Sequence, residues 1–508
     1  MNCVHIELQR VQTWLFQVPR LRAMVGGNSL LGETLRIALP KLARETGRGW
    51  KLAPSSGAYP RADASDPLRD HDDPADDAKD GILARDGGHF EAQFASGALE
   101  FANAADHLLR TSLPGLRFRV SVDSEPHTKS QVFLSTELPV LAPCEWTGRG
   151  LASAIVQQGD EFPAVSLDVA RRHDAAKRAE RWMTKDAASL LSATTKLKLL
   201  GPVQELKDLV GDGYLALIHA DGNGVGSGIG KDRPQGEIAA FFHSNRVLLR
   251  RAVKAAIDDA CDTDKAGRDE SPAPLVPLML GGDDLLLVCR ARVALPLIVK
   301  LCAVLDAIQQ DKTDFKLTLG VGVVFAKHNV PIYRLHEVAE QLAGSAKRRF
   351  RGLRDEEVKR SVVDWAVYST SWVDDPAEIR RRDWLRGGLN NQRILSQRPV
   401  DVLGQGLDSL EGLVTAASKL QHAPRSQLRY LVEQLPRGRT LAELAFAELP
   451  QEAKGALVGA GLTTLWRQAA DKRSWSTALL DLVEISEIGR LGRTPERVES
   501  KPEVAHAR

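Results

Sequence analysis

At 508 residues with 43% hydrophobic side chains, the chain is long enough to bury two to four separate cores. Its 68 Lys and Arg against 66 Asp and Glu leave a formal charge of +2, so charge demands neither a nucleic-acid nor a membrane partner, and any basic surface must be local. Cys3, Cys144, Cys261, Cys289 and Cys302 include no C-x-x-C pair, which argues against a disulfide framework or a complete zinc knuckle. The N-terminus lacks a basic-then-apolar leader and no apolar run reaches about 18 residues, so the expectation is a soluble cytoplasmic protein with free thiols and no membrane contact.

Residues 1–140 begin with the strand-like "NCVHIEL" and a helical run, "VQTWLFQVPRLRAMVGGNSLLGETLRIALPKLARE". A strand pair, "GILARDGGHFEAQFA", a helix, "GALEFANAADHLLRTS", and a strand, "GLRFRVSVD", follow. Strand, helix, hairpin, helix, strand is the ferredoxin-like order. Gly87-Gly88-His89-Phe90 fall at the hairpin turn. The stretch at 61–81, "RADASDPLRDHDDPADDAKDG", is acidic and poor in apolar residues and reads as a mobile loop inserted before that hairpin. Residues 141–210 read as a mainly helical connector.

Residues 211–372 repeat the pattern more sharply. "YLALIHA" is a short apolar run before the glycine-rich "DGNGVGSGIG", which makes it a buried strand delivering Asp221 to its C-terminal edge. Apolar residues from Ile238 to Ile257 follow helical spacing. "LVPLML", Gly281-Gly282-Asp283-Asp284 and "LLLVC" form a hairpin whose glycines permit positive φ. Then come a helix, "ALPLIVKLCAVLDAIQQ", a strand, "FKLTLGVGVVFA", a helix, "PIYRLHEVAEQLAGSAKRRF", and a strand, "SVVDWAVY".

In the ferredoxin-like order the first strand and the hairpin are neighbours, so Asp221, Asp283 and Asp284 should meet. Carboxylates crowded in this way cannot all stay ionised without a cation, and hard oxygen ligands suit Mg2+ or Mn2+. Gly222, Asn223, Gly224, Gly281 and Gly282 would let triphosphate oxygens approach backbone N–H groups. Other readings of the glycine-rich segment fail by register. It lacks G-x-G-x-x-G, Gly230-Lys231 is followed by Asp232 rather than Ser or Thr, and Val225 stands at a ligand position of an EF-hand loop. Residues 373–508 read as a C-terminal helical domain, giving an α+β chain of two ferredoxin-like units, a connector and a helical end.

"ALIHADGNGVG", "LMLGGDDLLLV", "TLGVGVVFAKHNVPIYRLHEVAEQLAGSAKR" and "VVDWAVY", in this order, resemble the palm domain of the large polymerase-like subunit of type III CRISPR effector complexes, within the wider class of GGDEF nucleotide cyclases. The resemblance extends to a degenerate first palm through "LRAMVGGNSLLGE". It implies a metal-dependent nucleotidyl transferase that converts ATP into cyclic oligoadenylate messengers for antiviral defence. Asp221, Asp283 and Asp284 would be catalytic metal ligands, the Gly222 carbonyl a further ligand, and Lys347 a phosphate contact. His89 and Phe90 replace the two aspartates in the first palm.

Three features depart from the family. The chain starts at the first palm, and His71-Asp72 and His173-Asp174 lie in polar surroundings without further metal ligands, so a compact form without the HD nuclease is expected. "CEWTGRGLA" keeps one cysteine of a zinc-binding insertion, so zinc is not expected. The resemblance implies the two-metal route of nucleotidyl transfer, and Asn223 stands where many relatives have a second aspartate, so a second ion would be held more weakly than the first. The implied partners are ATP, CRISPR RNA and small effector subunits or a second copy of the chain, and a downstream effector that the cyclic nucleotide activates. Arginines from Lys347 to Arg354 and at Arg380 to Arg382 are candidate phosphate contacts. A stand-alone cyclic dinucleotide synthase and a non-enzymatic RNA-binding scaffold are the alternatives.

Overall fold

The computed structural model describes residues 1–68, 73–126, 142–158, 161–183, 205–211, 213–226, 233–265, 274–311, 315–353, 360–368, 375–388, 391–469 and 473–490. His71, Asp72, Gly230, Lys231, Asp232 and Arg354, singled out above, lie outside the described residues.

The first unit runs β1 (Asn2–Gln9), α1 (Leu21–Glu33), β2 (Ile82–Ala84), β3 (His89–Ser96), α2 (Ala98–Ser112) and β4 (Arg117–Val122). Its antiparallel sheet is ordered β2–β3–β1–β4, the ferredoxin-like arrangement. Strict alternation along β1 turns Val4, Ile6 and Leu8 onto a core shared with Phe101, Ala105 and Leu109 of α2. The long helix expected after β1 is broken into Val11–Phe16 and α1. Pro19 lies in the break, where its ring disfavours helical geometry in the residue before it.

The acidic stretch expected to be a mobile loop is only partly irregular. Helix Pro74–Lys79 is capped by the Asp73 side chain, which accepts a hydrogen bond from the Asp76 N–H. Arginines inside and outside the stretch neutralise its acids: Arg61 pairs with Asp76 at 2.8 Å, and Arg44 and Arg85 converge on Asp77.

The connector contains α3 (Leu167–Met183), a short ribbon of Ala154–Ile155 with Ala164–Val165, and helix Leu206–Val210. Arg172 on α3 is fully buried, stacked 3.9 Å over Trp14, donating to the Trp14 carbonyl and paired with Asp168. His173 is buried edge-on to Trp146, with Asp174 3.9 Å from its Nδ1.

The second unit runs β5 (Tyr214–Gly222), α4 (Gln235–Lys265), β6 (Leu275–Gly281), β7 (Asp284–Arg290), α5 (Ala291–Ala307), β8 (Leu319–Lys327), α6 (Ile332–Gly352) and β9 (Val362–Val367). Its sheet is ordered β6–β7–β5–β8, with β9 added parallel to β8. β5 is buried on both faces. Ala216, Ile218 and Ala220 pack in the core with α4 and α5. Leu215 and Leu217 share the opposite core with α6 and with Leu15, Phe16 and Met24 of the first unit.

The C-terminal region is not purely helical. Short strands Leu385–Arg386, Gln392–Ile394, Ser474–Ser476 and Arg467–Gln468 form a small sheet beside helices that include Leu410–Ser418 and Leu479–Ile488. Two- and three-residue strands are too short for alternation to register. Arg398 fastens this region to the second sheet. It lies between Trp365 (4.7 Å) and Trp384 (4.2 Å), donates to the Trp365 carbonyl, and pairs with Asp481 (2.9 Å) and Glu484 (2.6 Å). Arg398→Ala leaves the buried Asp481 carboxylate without its cation and removes one partner of half-buried Glu484, and should cost about 3–5 kcal/mol, read as a lower denaturant midpoint; an unchanged midpoint contradicts this packing.

Candidate active site

Sheet register brings the acids together. Ala220 on β5 pairs with Leu285 on β7, so the next residues, Asp221 and Asp284, sit side by side at the sheet edge. Gly281 pairs with Asp284, leaving Gly282 and Asp283 as a two-residue turn. Gly282 has φ +60°, as the first central position of a type II′ hairpin requires. Asp283 then leans back over Gly222. A Cβ on Gly222 would lie 2.7 Å from Asp283 Oδ2 and 2.5 Å from Val225, so only glycine allows this approach.

Lys347 enters from the other side. Gly320 on β8 pairs with Asp221, and a Cβ there would come within 2.6 Å of the Lys347 side chain and 3.0 Å of Asn223 Oδ1. This bare patch of sheet lets α6 pass close enough for the Lys347 ammonium to bond Asp221 Oδ2. Asn223 is buried, with its N–H donating to the Thr318 carbonyl at 2.8 Å and its side-chain amide donating to Thr318 Oγ1 at 3.2 Å. Gly224, at φ +69°, turns the chain away.

The electrostatics are unbalanced as they stand. Burial, reinforced by Asp221 and Asp283, pushes the Asp284 carboxyl up to about 8, and it hydrogen-bonds Asp221. Burial and then Asp221 raise Asp283 as well, with Lys347 opposing. Burial lowers His219, two residues before Asp221 on the same face of β5. Neither His219 ring nitrogen has a hydrogen-bond partner, and the ring lies 5.6 Å from His336.

Among the described residues no three His, Cys, Asp or Glu side chains are already gathered in metal-ligand geometry. The donor chemistry nevertheless fits a hard divalent cation. Asp284 Oδ1 and Asn223 Oδ1 are buried without a partner, and a cation would offset the burial and the mutual repulsion that together keep Asp284 protonated. Backbone beside the turn is open, since a Cβ at Gly281 or Gly282 would meet nothing within 4 Å. A cavity of about 450 Å³ lies beyond it, walled by Gly282 and Asp283, by α4, and by His5, His89 and Glu91 of the first unit. Phe90 turns into the first core instead.

Several phosphate candidates are already engaged. Arg380 bonds buried Asp364 and Ser345, Arg382 pairs with Asp383, and Arg349 lies 3.5 Å from Asp401. Sequence reasoning missed Thr318, Gly320 and His219. Alternation along β5 would have exposed His219, and the G-x-G of "LGVGV" marked a strand that a helix crosses closely.

Two outcomes follow from this charge balance. Without a cation, Asp284 keeps a proton in the folded chain that it lacks in the unfolded chain between about pH 4 and 8. Stability should fall as pH rises through that window, and Asp284→Asn should remove the fall, as measured by denaturant midpoints with chelator present. Mg2+ or Mn2+ binding should tighten from pH 6 to 8 and release protons, as measured by calorimetry in buffers of different ionisation enthalpy. Affinity independent of pH would contradict the assignment.

Comparison with known proteins bears on this unit directly. Residues 214–356 match the family model "Cas10/Cmr2, second palm domain". No curated protein matches the sequence. Among solved structures, chains of a Csm1–Csm4 cassette in complex with AMPPNP and with cA4 align over 96% of this chain and 69% of theirs, at 13% and 14% identity and TM-score 0.46. A Csm1–Csm4 subcomplex of the type III-A CRISPR-Csm interference complex aligns over the same shares at 14% identity and TM-score 0.40. The unit that carries Asp221, Asp283, Asp284 and Lys347 is thus the part of the chain that matches the Cas10/Cmr2 second palm domain.

Proposed function

We propose that the chain is a nucleotidyl transferase that joins ATP into cyclic oligoadenylate in type III CRISPR-like antiviral defence. The observation that carries this reading is the convergence of Asp221, Asp283 and Asp284 at one sheet edge, with Lys347 beside them, on a Cas10/Cmr2 second palm. Asp221, Asp283, Asp284 and the Gly222 carbonyl would hold Mg2+ or Mn2+. Such an ion, when bound, neutralises triphosphate charge and acidifies the attacking 3′-hydroxyl.

The remaining work falls to the chain. Loss of its proton readies Asp284 for the cation. Lys347, released from Asp221, offers its ammonium to phosphate oxygens as pyrophosphate leaves. The bare Gly281-Gly282 backbone admits the triphosphate. The cavity between the two palms offers room for the second nucleotide within one chain, which favours synthesis by a single copy over a homodimer.

Incubation with each labelled nucleoside triphosphate and Mg2+ or Mn2+, with and without RNA, tests this by product mass. Cyclic oligoadenylate from ATP is expected. Asp283→Ala with Asp284→Ala should lower product roughly 1000-fold, and Lys347→Ala by about 10–100-fold, with far-UV dichroism unchanged because the turn contributes little packing. Full activity in the double variant contradicts the proposal.

A further inference from the structure

The outer face of α4, the helix that follows the Asp221 loop, is held by the first palm along three of its turns. At its start, Gln235 Nε2 donates to Glu91 on β3 at 2.8 Å. Three turns on, Arg246 lies 3.4 Å from Asp86, the residue that opens the first hairpin turn. One turn further, Arg250 donates to Asp66 of the acidic stretch at 2.7 Å, with both side chains all but removed from water.

Asp86 gathers more charge than an exposed turn residue normally would. Arg36 of its own palm grips both carboxylate oxygens, at 2.8 and 2.9 Å, and Arg250 stands 3.8 Å away. Burial alone would raise its carboxyl, but Arg36, then Arg246 and Arg250, outweigh this and hold it well below the usual range. Buried pairs of this kind contribute little net stability, yet losing one partner leaves an uncompensated charge, so they serve better to fix a relative position than to strengthen a fold.

What they fix is the cavity. Arg36, Asp86 and Arg246 form part of its wall, opposite Gly282 and Asp283 of the GGDD turn. Resting on the proposed function, we propose that the acidic stretch and hairpin turn of the first palm form a latch on α4. In this latch Asp66 and Asp86 grip Arg250 and Arg246, and these four positioning residues set the separation between the second nucleotide and the GGDD acids. Asp66, one acid of residues 61–81, thereby acquires a role as the counter-charge to Arg250 of α4.

The test uses the full chain and the variants Asp66→Asn, Arg250→Met and Asp86→Asn, the last being the mildest because Asp86 is partly exposed. Three readouts are compared: product formation from ATP, equilibrium binding of a non-hydrolysable ATP analogue, and backbone amide exchange. Misplacement by about 1 Å should lower product roughly 100-fold while analogue affinity stays within about twofold, and amides of the β2–β3 hairpin should exchange faster while those of β5 do not. A merely structural role would move binding and turnover together, and that result, or unchanged product and exchange in folded variants, overturns the latch. Where Asp66→Asn or Arg250→Met fails to fold, Asp86→Asn decides. No product from the unaltered chain counts against the proposed function instead, and the latch then stands or falls on the exchange of the hairpin.

Discussion

Three carboxylates held at the edge of one sheet, with one ammonium among them, are the constraint on which the site depends. Their proximity is not a choice of side-chain conformation. It follows from the pairing of β5 with β7 and from a two-residue turn that has no room to spread. Hydrophobic burial on both faces of β5 fixes that register, because a slip by one residue would exchange the residues of the two cores. The sheet thus supplies the energy that keeps like charges together, and the site is left with an appetite for positive charge.

That appetite is what couples the site to its surroundings. Lys347 partly meets it, which requires α6 to cross a stripe of sheet without side chains at Gly320. On the far side, α4 carries cations that are engaged by acids of the first unit. The two ferredoxin-like units share one strand order and differ in charge: in the second the hairpin turn ends in acids, whereas in the first it ends in His89 and Phe90 and its acid, Asp86, is already neutralised by arginines. An acidic turn faces an open cavity, and the neutralised turn forms its opposite wall.

Much of this was legible in the sequence because it is periodic. The buried runs of β5, β7 and β8 and the 3.6-residue spacing of α4 and α6 gave the ferredoxin-like order, and with it the meeting of Asp221 with Asp283 and Asp284. What was not legible depended on partners distant in sequence. Acidic residues 61–81 read as a mobile loop because Arg44, Arg85 and Arg250, which neutralise Asp77, Asp80 and Asp66, lie elsewhere in the sequence. The small C-terminal sheet escaped notice because its strands are too short to show a period. Arg380 suggested a phosphate contact, but it is engaged with a buried aspartate that only the fold places beside it.

The central claim is that these acids bind a divalent cation that touches a nucleoside triphosphate. Electron paramagnetic resonance of Mn2+ added to the chain with a non-hydrolysable ATP analogue measures it directly, through protein-bound signal and phosphorus hyperfine coupling. The account predicts a bound Mn2+ coupled to phosphorus that disappears in Asp221→Asn and in Asp284→Asn. A bound, phosphorus-coupled ion that survives both substitutions, or an analogue that binds with no ion at the site, would contradict it.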